Sequence, residues 1–198
     1  MTTRIARVSD VPQLVMLHRT SGVNGILTFL TNAQLSNFFY LPVVTDDTFR
    51  TTVVVTPSET VVGVISISEM QSEALQSSLF QRLGLVARVA AQSIIHPSLF
   101  RLIYNYLRMQ RFIHTYISSM KSNYKEIQLL LIDHKVQSHG IGAKLISSID
   151  SAEDNYIVQT QNSRAVGFYS RHGFQVVKCF GVGSHKLWLM SRVATDEL

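Results

Sequence analysis

Ile127-Gln128-Leu129-Leu130-Leu131-Ile132 is followed by Gln137-Ser138-His139-Gly140-Ile141-Gly142 and then by Ala143-Lys144-Leu145-Ile146-Ser147-Ser148-Ile149. The apolar run is short and dense, which reads as a buried strand. The glycines close a tight loop. Ile141, Leu145 and Ile149 recur every four residues, which gives a helix with one apolar face. A strand, a glycine loop and a helix in this order gather backbone N–H groups at the positive end of a helix dipole, a place suited to a phosphate. A Gly-x-Gly step also closes ordinary strand-to-helix turns, so the surrounding sequence must decide its meaning.

Working outward, Arg4–Val8 reads as an opening strand, and Ser9-Asp10 offers an N-cap for a helix carrying Val11, Leu14, Val15 and Leu17 on one face. Thr31–Tyr40 reads as a second helix. Phe49–Thr56 and Thr60–Ser68 read as two strands joined by the turn Pro57-Ser58-Glu59, a hairpin. Beyond the glycine loop, Asn155–Gln161 reads as a strand. Ser163–His172 reads as a helix stopped by Gly173 at C′, with Phe174–Phe180 and Lys186–Met190 as a closing hairpin. The order predicts one α/β domain over residues 1–198, a mixed central sheet flanked by helices.

The segment Ala74–Lys125 stands apart. It holds no Asp or Glu but seven Lys/Arg, which accounts for more than the whole net charge of +5. It reads as a helical insert between the third and fourth strands, broken at His96-Pro97-Ser98. In its second helix Arg101, Asn105, Arg108, Arg111 and Thr115 share a face opposite Phe100, Ile103, Leu107 and Ile117. That face is either simply solvated or a docking surface for an anionic substrate, a membrane surface or a partner subunit.

The chain's length and its 46% hydrophobic content fit a folded globular domain. No apolar run approaches the roughly 18 residues a bilayer requires. The opening residues lack a secretory signal, and Cys179 stands alone, so a reducing, cytoplasmic setting is expected. Cys179 reads as a small buried residue of the run Val176–Phe180 rather than as a nucleophile. No Walker motif, metal-ligand spacing or Ser-His-Asp pattern is present, and His134 and His139 merely flank the loop.

A second stretch gives the loop its meaning: Asn162-Ser163-Arg164-Ala165-Val166-Gly167-Phe168-Tyr169-Ser170-Arg171-His172-Gly173-Phe174. It resembles the Asn-x-x-Ala-x-x-(Phe/Leu)-Tyr-x-x-x-Gly-Phe stretch of the GNAT superfamily of acyl-CoA-dependent N-acetyltransferases. Gln137, Gly140 and Gly142, about twenty residues earlier, match that family's (Arg/Gln)-x-x-Gly-x-(Gly/Ala) signature. The resemblance covers most of the chain except the insert at about 74–125. It implies acetyl-CoA as cosubstrate, with no metal. The amides of Gln137, Ser138, His139, Gly140, Ile141 and Gly142 would cradle the pyrophosphate. Leu130, Leu131 and Ile132 would pair with the pantetheine amides. Asn162 would bind the pantetheine arm, cap its helix, or both.

Tyr169 would be the general acid for the departing thiolate, with a packing role as the alternative. For the general base, one branch of the family places a glutamate where this chain has Glu126; the position used by some peptide N-terminal acetyltransferases is Ile157 here. An exposed strand-end charge is the other reading of Glu126, and Glu69 or a water relay are the other sources of a base. The resemblance implies direct acetyl transfer to an amine, a small molecule or amino sugar. The rivals are a non-catalytic acyl-CoA-binding module and a membrane-surface or assembly protein using the basic insert. A homodimer and peripheral membrane contact stay open, and no nucleic acid partner is expected.

Overall fold

The computed structural model describes residues 1–21, 27, 30–70, 97–119, 124–149, 154–181 and 186–194. They group into two compact units, each assembled from separated stretches of chain. The chain is an α/β protein with seven strands among the described residues.

The first unit comprises Met1–Val23, Leu30–Ser68 and Glu126–Ala152. Strands β1 (Thr2–Ile5), β2 (Phe49–Val55), β3 (Val61–Met70) and β4 (Tyr124–Ile132) lie in that order, with β1/β2 and β2/β3 antiparallel. The opening strand is shorter than Arg4–Val8: the chain turns through one 3-10 turn, Val8–Asp10, into α1 (Val11–Thr20). Asp10 does not cap α1 with its side chain. Its carboxylate accepts from Arg4 Nη1 at 2.7 Å, Arg4 Nη2 at 2.9 Å and the Arg7 amide at 2.7 Å. The Arg4 guanidinium, first among the causes, holds the Asp10 carboxyl below the usual range.

The second helix starts as read, with Thr31 and Gln34 forming a reciprocal capping box. It runs further than Tyr40: α2 (Asn32–Leu35) passes through a π-turn, Ser36–Tyr40, into α3 (Leu41–Thr45). Both α3 and α5 (Ile141–Ile149) pack against β2, so Thr51–Val55 is buried without interruption. The two faces are distinguishable by side chain. A Cβ on Gly63 would meet Ile141 and Leu145 of α5, whereas Thr51 donates to the Val43 carbonyl of α3 at 2.6 Å.

The second unit comprises Asn24–Phe29, Glu69–Lys125 and Glu153–Leu198. Its strands β5 (Asn155–Thr160), β7 (Leu187–Arg192) and β6 (Gln175–Phe180) lie side by side, all antiparallel, so the closing hairpin is present as read. The long helix α4 (Pro97–Ser119) buries Met109, Ile113 and Ile117 with Tyr124, Ile157, Phe180, Leu187 and Leu189. Pro97 opens it, at a position where the missing N–H costs nothing.

The face assignment of this helix needs correction. Asn105 is buried rather than part of the basic face, and Leu107 is 37% exposed rather than core. The row Asn105, Met109, Ile113, Ile117 faces inward at a spacing of four. Arg108, Arg111 and Thr115 are exposed, as the basic face requires. The side chains of Phe100, Arg101 and Ile103, and the rest of the insert at 71–96 with Arg82, Gly84 and Arg88, lie outside the described residues. So do Lys121 and His185.

Candidate active site

The glycine loop belongs to the first unit. Asp133 follows β4 and its carboxylate accepts from the Lys135 amide at 3.0 Å, which starts one 3-10 turn, His134–Val136. Ser138 and Gly140 then take positive φ values of 69° and 74°, and α5 begins at Ile141. These two left-handed residues fold the chain back upon itself within one turn. Inside the loop, His139 Nδ1 lies 3.0 Å from the Gln137 carbonyl, and Gln137 Nε2 approaches the Ile132 carbonyl at 3.4 Å.

The consequence lies in the amides. The first α5 bond outside the helix proper runs from the Lys144 amide to the Gly140 carbonyl, at 2.9 Å. Among the described residues, the N–H groups from Gln137 to Ala143 donate to no protein acceptor. Helix termini leave such donors orphaned, and an anion is a natural acceptor for them. A Cβ on Gly140 would meet nothing within 4 Å, so the space beside the loop is open. The loop therefore fits a phosphate group. Just upstream on β4, Leu131 is buried while Leu130 and Ile132 are partly exposed.

Glu126 also lies in the first unit, and it is not an exposed strand-end charge. It is 3% exposed, and its Oε2 accepts from Gln128 Nε2 at 2.7 Å. The same Nε2 donates to Ser68 Oγ at 2.8 Å. Glu126 and Gln128 are two apart on a strand, which puts them on one face. A buried carboxylate of this kind needs such partners to be tolerable. Neither Gln128 nor Ser68 was singled out by the sequence reading. The signal available was the alternation Glu126-x-Gln128, two polar residues on one face of an otherwise apolar strand. Glu69, the other candidate base, adjoins Ser68 at the exposed end of β3.

Asn162 and Tyr169 belong to the second unit. Asn162 Oδ1 accepts from the Arg164 amide at 2.9 Å and caps α6 (Ser163–Ser170). Its capping role is therefore present, and its Nδ2 amide is the group left to meet a ligand. The helix ends two residues earlier than read, with Arg171 at the C-cap, and Gly173 supplies a φ of 84° just beyond it. Tyr169 is buried, with Phe168 and Phe174 edge-on at 5.3 Å and 5.4 Å between centroids. Its hydroxyl makes no hydrogen bond among the described residues. Burial pushes its pKa well above the ordinary phenol value.

Cys179 departs from expectation: it is exposed on β6, a strand at the end of the sheet order whose residues are mostly exposed. His134 is exposed and sits 3.3 Å from Asp133, and no group of three metal-ligating side chains occurs among the described residues. Nor is any described helix long and apolar enough to cross a membrane.

Residues 102–176 match the family model of the acetyltransferase (GNAT) domain. That span includes β4, the glycine loop, Asn162 and Tyr169. No curated protein sequence matches the chain. Solved structures do. One of a histone acetyltransferase HPA2 and related acetyltransferase from Corynebacterium glutamicum aligns with a TM-score of 0.60 at 13% identity, over 98% of this chain and 96% of the other. Arabidopsis thaliana NAA60 in complex with acetyl-CoA aligns with a TM-score of 0.58 at 15% identity, over 96% of each chain. A mutant of the spermidine N-acetyltransferase SpeG from Vibrio cholerae aligns with a TM-score of 0.57 at 12% identity, over 100% of this chain and 98% of the other. At these identities the likeness is one of fold. Residues 102–176 are thus similar to a GNAT acetyltransferase domain, and the fold is that of these solved acetyltransferase structures.

Proposed function

We propose that the chain is an acetyl-CoA-dependent N-acetyltransferase that acetylates an amine of a small molecule or amino sugar by direct attack in a ternary complex. The observation that carries this reading is the row of amides from Gln137 to Ala143 with no acceptor among the described residues, at the head of α5. They would hold the coenzyme A pyrophosphate. Leu130, Leu131 and Ile132 would extend their strand onto the peptide-like pantetheine arm, with Asn162 offering its free amide nitrogen.

In the reaction the amine nitrogen attacks the thioester carbonyl carbon. The backbone N–H near Ile132 polarises the carbonyl oxygen. Glu126 takes the proton that the amine loses, directly or through one water. The carbon–sulfur bond then breaks, and Tyr169 gives its phenol proton to the departing thiolate. Burial keeps Tyr169 protonated through the neutral range, the state a donor needs. The exposed Arg108 and Arg111 on α4 favour an anionic acceptor, such as a nucleotide-linked sugar.

The test is thiol release from acetyl-CoA against a panel of amino sugars, polyamines, amino acids and peptide N-termini. Acceptor-dependent release with matching acetylated product supports the reading. A second reading, a non-catalytic acyl-CoA-binding module, draws on the burial of Tyr169 and the commitment of Asn162 Oδ1 to its helix. Acetyl-CoA binding without turnover across the panel would select it.

A further inference from the structure

We infer that Gln128 and Ser68 are positioning residues that hold the Glu126 carboxylate in a single orientation for proton abstraction. The inference rests on the assignment of Glu126 as general base and adds the device that aims it.

Gln128 Nε2 has two hydrogens, and each has its own acceptor: Glu126 Oε2 at 2.7 Å and Ser68 Oγ at 2.8 Å. A glutamine side chain is long and rotamer-rich, so a single hydrogen bond holds it loosely. Two acceptors on different strands, β3 and β4, fix the amide plane. The amide in turn fixes Glu126. Glutamate has the same freedom to lose, and a base off its line by about 1 Å costs orders of magnitude in rate.

The same sheet face, the one turned away from α5, bears Thr51 and Ser66. Thr51 and Ser66 are partners in register, with their oxygens 2.9 Å apart, and both are buried. Thr51 also donates to the Val43 carbonyl at 2.6 Å. Ser68 is two residues beyond Ser66 on the same face. Ser66, Ser68, Glu126 and Gln128 thus place polar groups on one face of strands that are otherwise aliphatic. A core built for stability alone has no reason to put them there, since each must be satisfied at the expense of packing.

The experiment measures kcat and KM for acetyl-CoA with the panel amine that gives the highest rate, alongside acetyl-CoA binding by calorimetry. The variants are Glu126→Gln, Gln128→Leu, Ser68→Ala, Ser68→Thr and the double variant of Glu126→Gln with Gln128→Leu. Glu126→Gln should lower kcat about a hundredfold or more. Gln128→Leu should lower kcat about tenfold, with acetyl-CoA affinity and its KM unchanged. Ser68→Ala should lower kcat by a smaller factor, and Ser68→Thr, which keeps the hydroxyl, should restore it. In the double variant Gln128→Leu should add nothing to Glu126→Gln, because its effect passes through that carboxylate.

A kcat loss from Gln128→Leu that multiplies fully with that of Glu126→Gln overturns the positioning role and leaves the base assignment standing. An unchanged kcat in Gln128→Leu does the same. Full activity in Glu126→Gln, or no turnover with any panel amine, overturns both together.

Discussion

Nδ1 of His18 lies 2.9 Å from the hydroxyl of Tyr40, and both side chains are buried in the first unit, 2% and 0% exposed. The rings meet edge-on, and the other imidazole nitrogen, Nε2, has no partner among the described residues. Burial first, and the positive charge of Arg19 second, push the His18 pKa down to about 4. Its ordinary value is 6.5, so between the two an unfolded chain takes up a proton that the folded chain refuses. The stability is complete above pH 6.5 and is lost as pH falls toward 4. Urea unfolding at pH 5 should give about 2 kcal/mol less than at pH 7. His18→Leu should flatten that slope. A slope unchanged by the substitution would assign the pH dependence to another group.

Gly63 shows how the sheet seats the glycine loop. A Cβ there would stand 3.0 Å from Ile141 Cγ2 and 3.2 Å from Leu145 Cδ1. Ile141 is the first residue of α5 and is β-branched, so it has little rotamer freedom with which to yield. Gly63→Ala should cost about 1–3 kcal/mol by overpacking. It should also weaken acetyl-CoA binding, because the displaced residue adjoins Gly140 and Gly142. Thermal unfolding and calorimetry on the same variant check both halves. A stability loss with unchanged affinity would show that α5 shifts as a body without disturbing the loop.

The strand–loop–helix was legible because glycine punctuation and a four-residue apolar repeat are local signals, and both are set by residues that touch their sequence neighbours. Asn162 was legible as a cap for the same reason. The pairing of His18 with Tyr40 was not, since it joins residues 22 apart through packing alone. The inward turn of Asn105 was hidden because an asparagine amid arginines looks solvated. Only the buried row of Met109, Ile113 and Ile117 shows which way α4 faces. Cys179 misled in the opposite sense: an apolar-looking run suggested burial, while β6 ends the strand order and leaves most of its residues exposed. Glu126 was found by its match to a family position, and the amide and hydroxyl that hold it depend on the pairing of separate strands.

Gly140 separates a structural turn from an anion cradle. Its φ of 74° would cost an alanine about 1 kcal/mol, and no atom within 4 Å would obstruct the added methyl. Gly140→Ala should therefore lower the unfolding free energy only by that amount. If the amides beside it receive the pyrophosphate, the methyl occupies part of the approach, and acetyl-CoA affinity should fall about tenfold or more. Thermal unfolding without ligand gives the first quantity and calorimetry the second. An affinity equal to that of the parent would mean that the loop only closes the turn into α5.

Tyr169 carries the sharpest test of whether the chain is a catalyst. Its ring packs between Phe168 and Phe174, and Tyr169→Phe keeps that ring. The hydroxyl makes no hydrogen bond among the described residues, so its loss should change stability by no more than about 0.5 kcal/mol. As proton donor to the thiolate, however, it acts only once the carbon–sulfur bond begins to break. Tyr169→Phe should then lower kcat about a hundredfold, with KM for acetyl-CoA nearly unchanged, because the lost interaction exists in the transition state alone. Steady-state kinetics with the best acceptor amine gives both parameters. A variant with parental kcat would hand the leaving-group proton to water and leave Tyr169 as a packing residue; a rise in KM with kcat retained would instead make its hydroxyl a contact to the bound coenzyme.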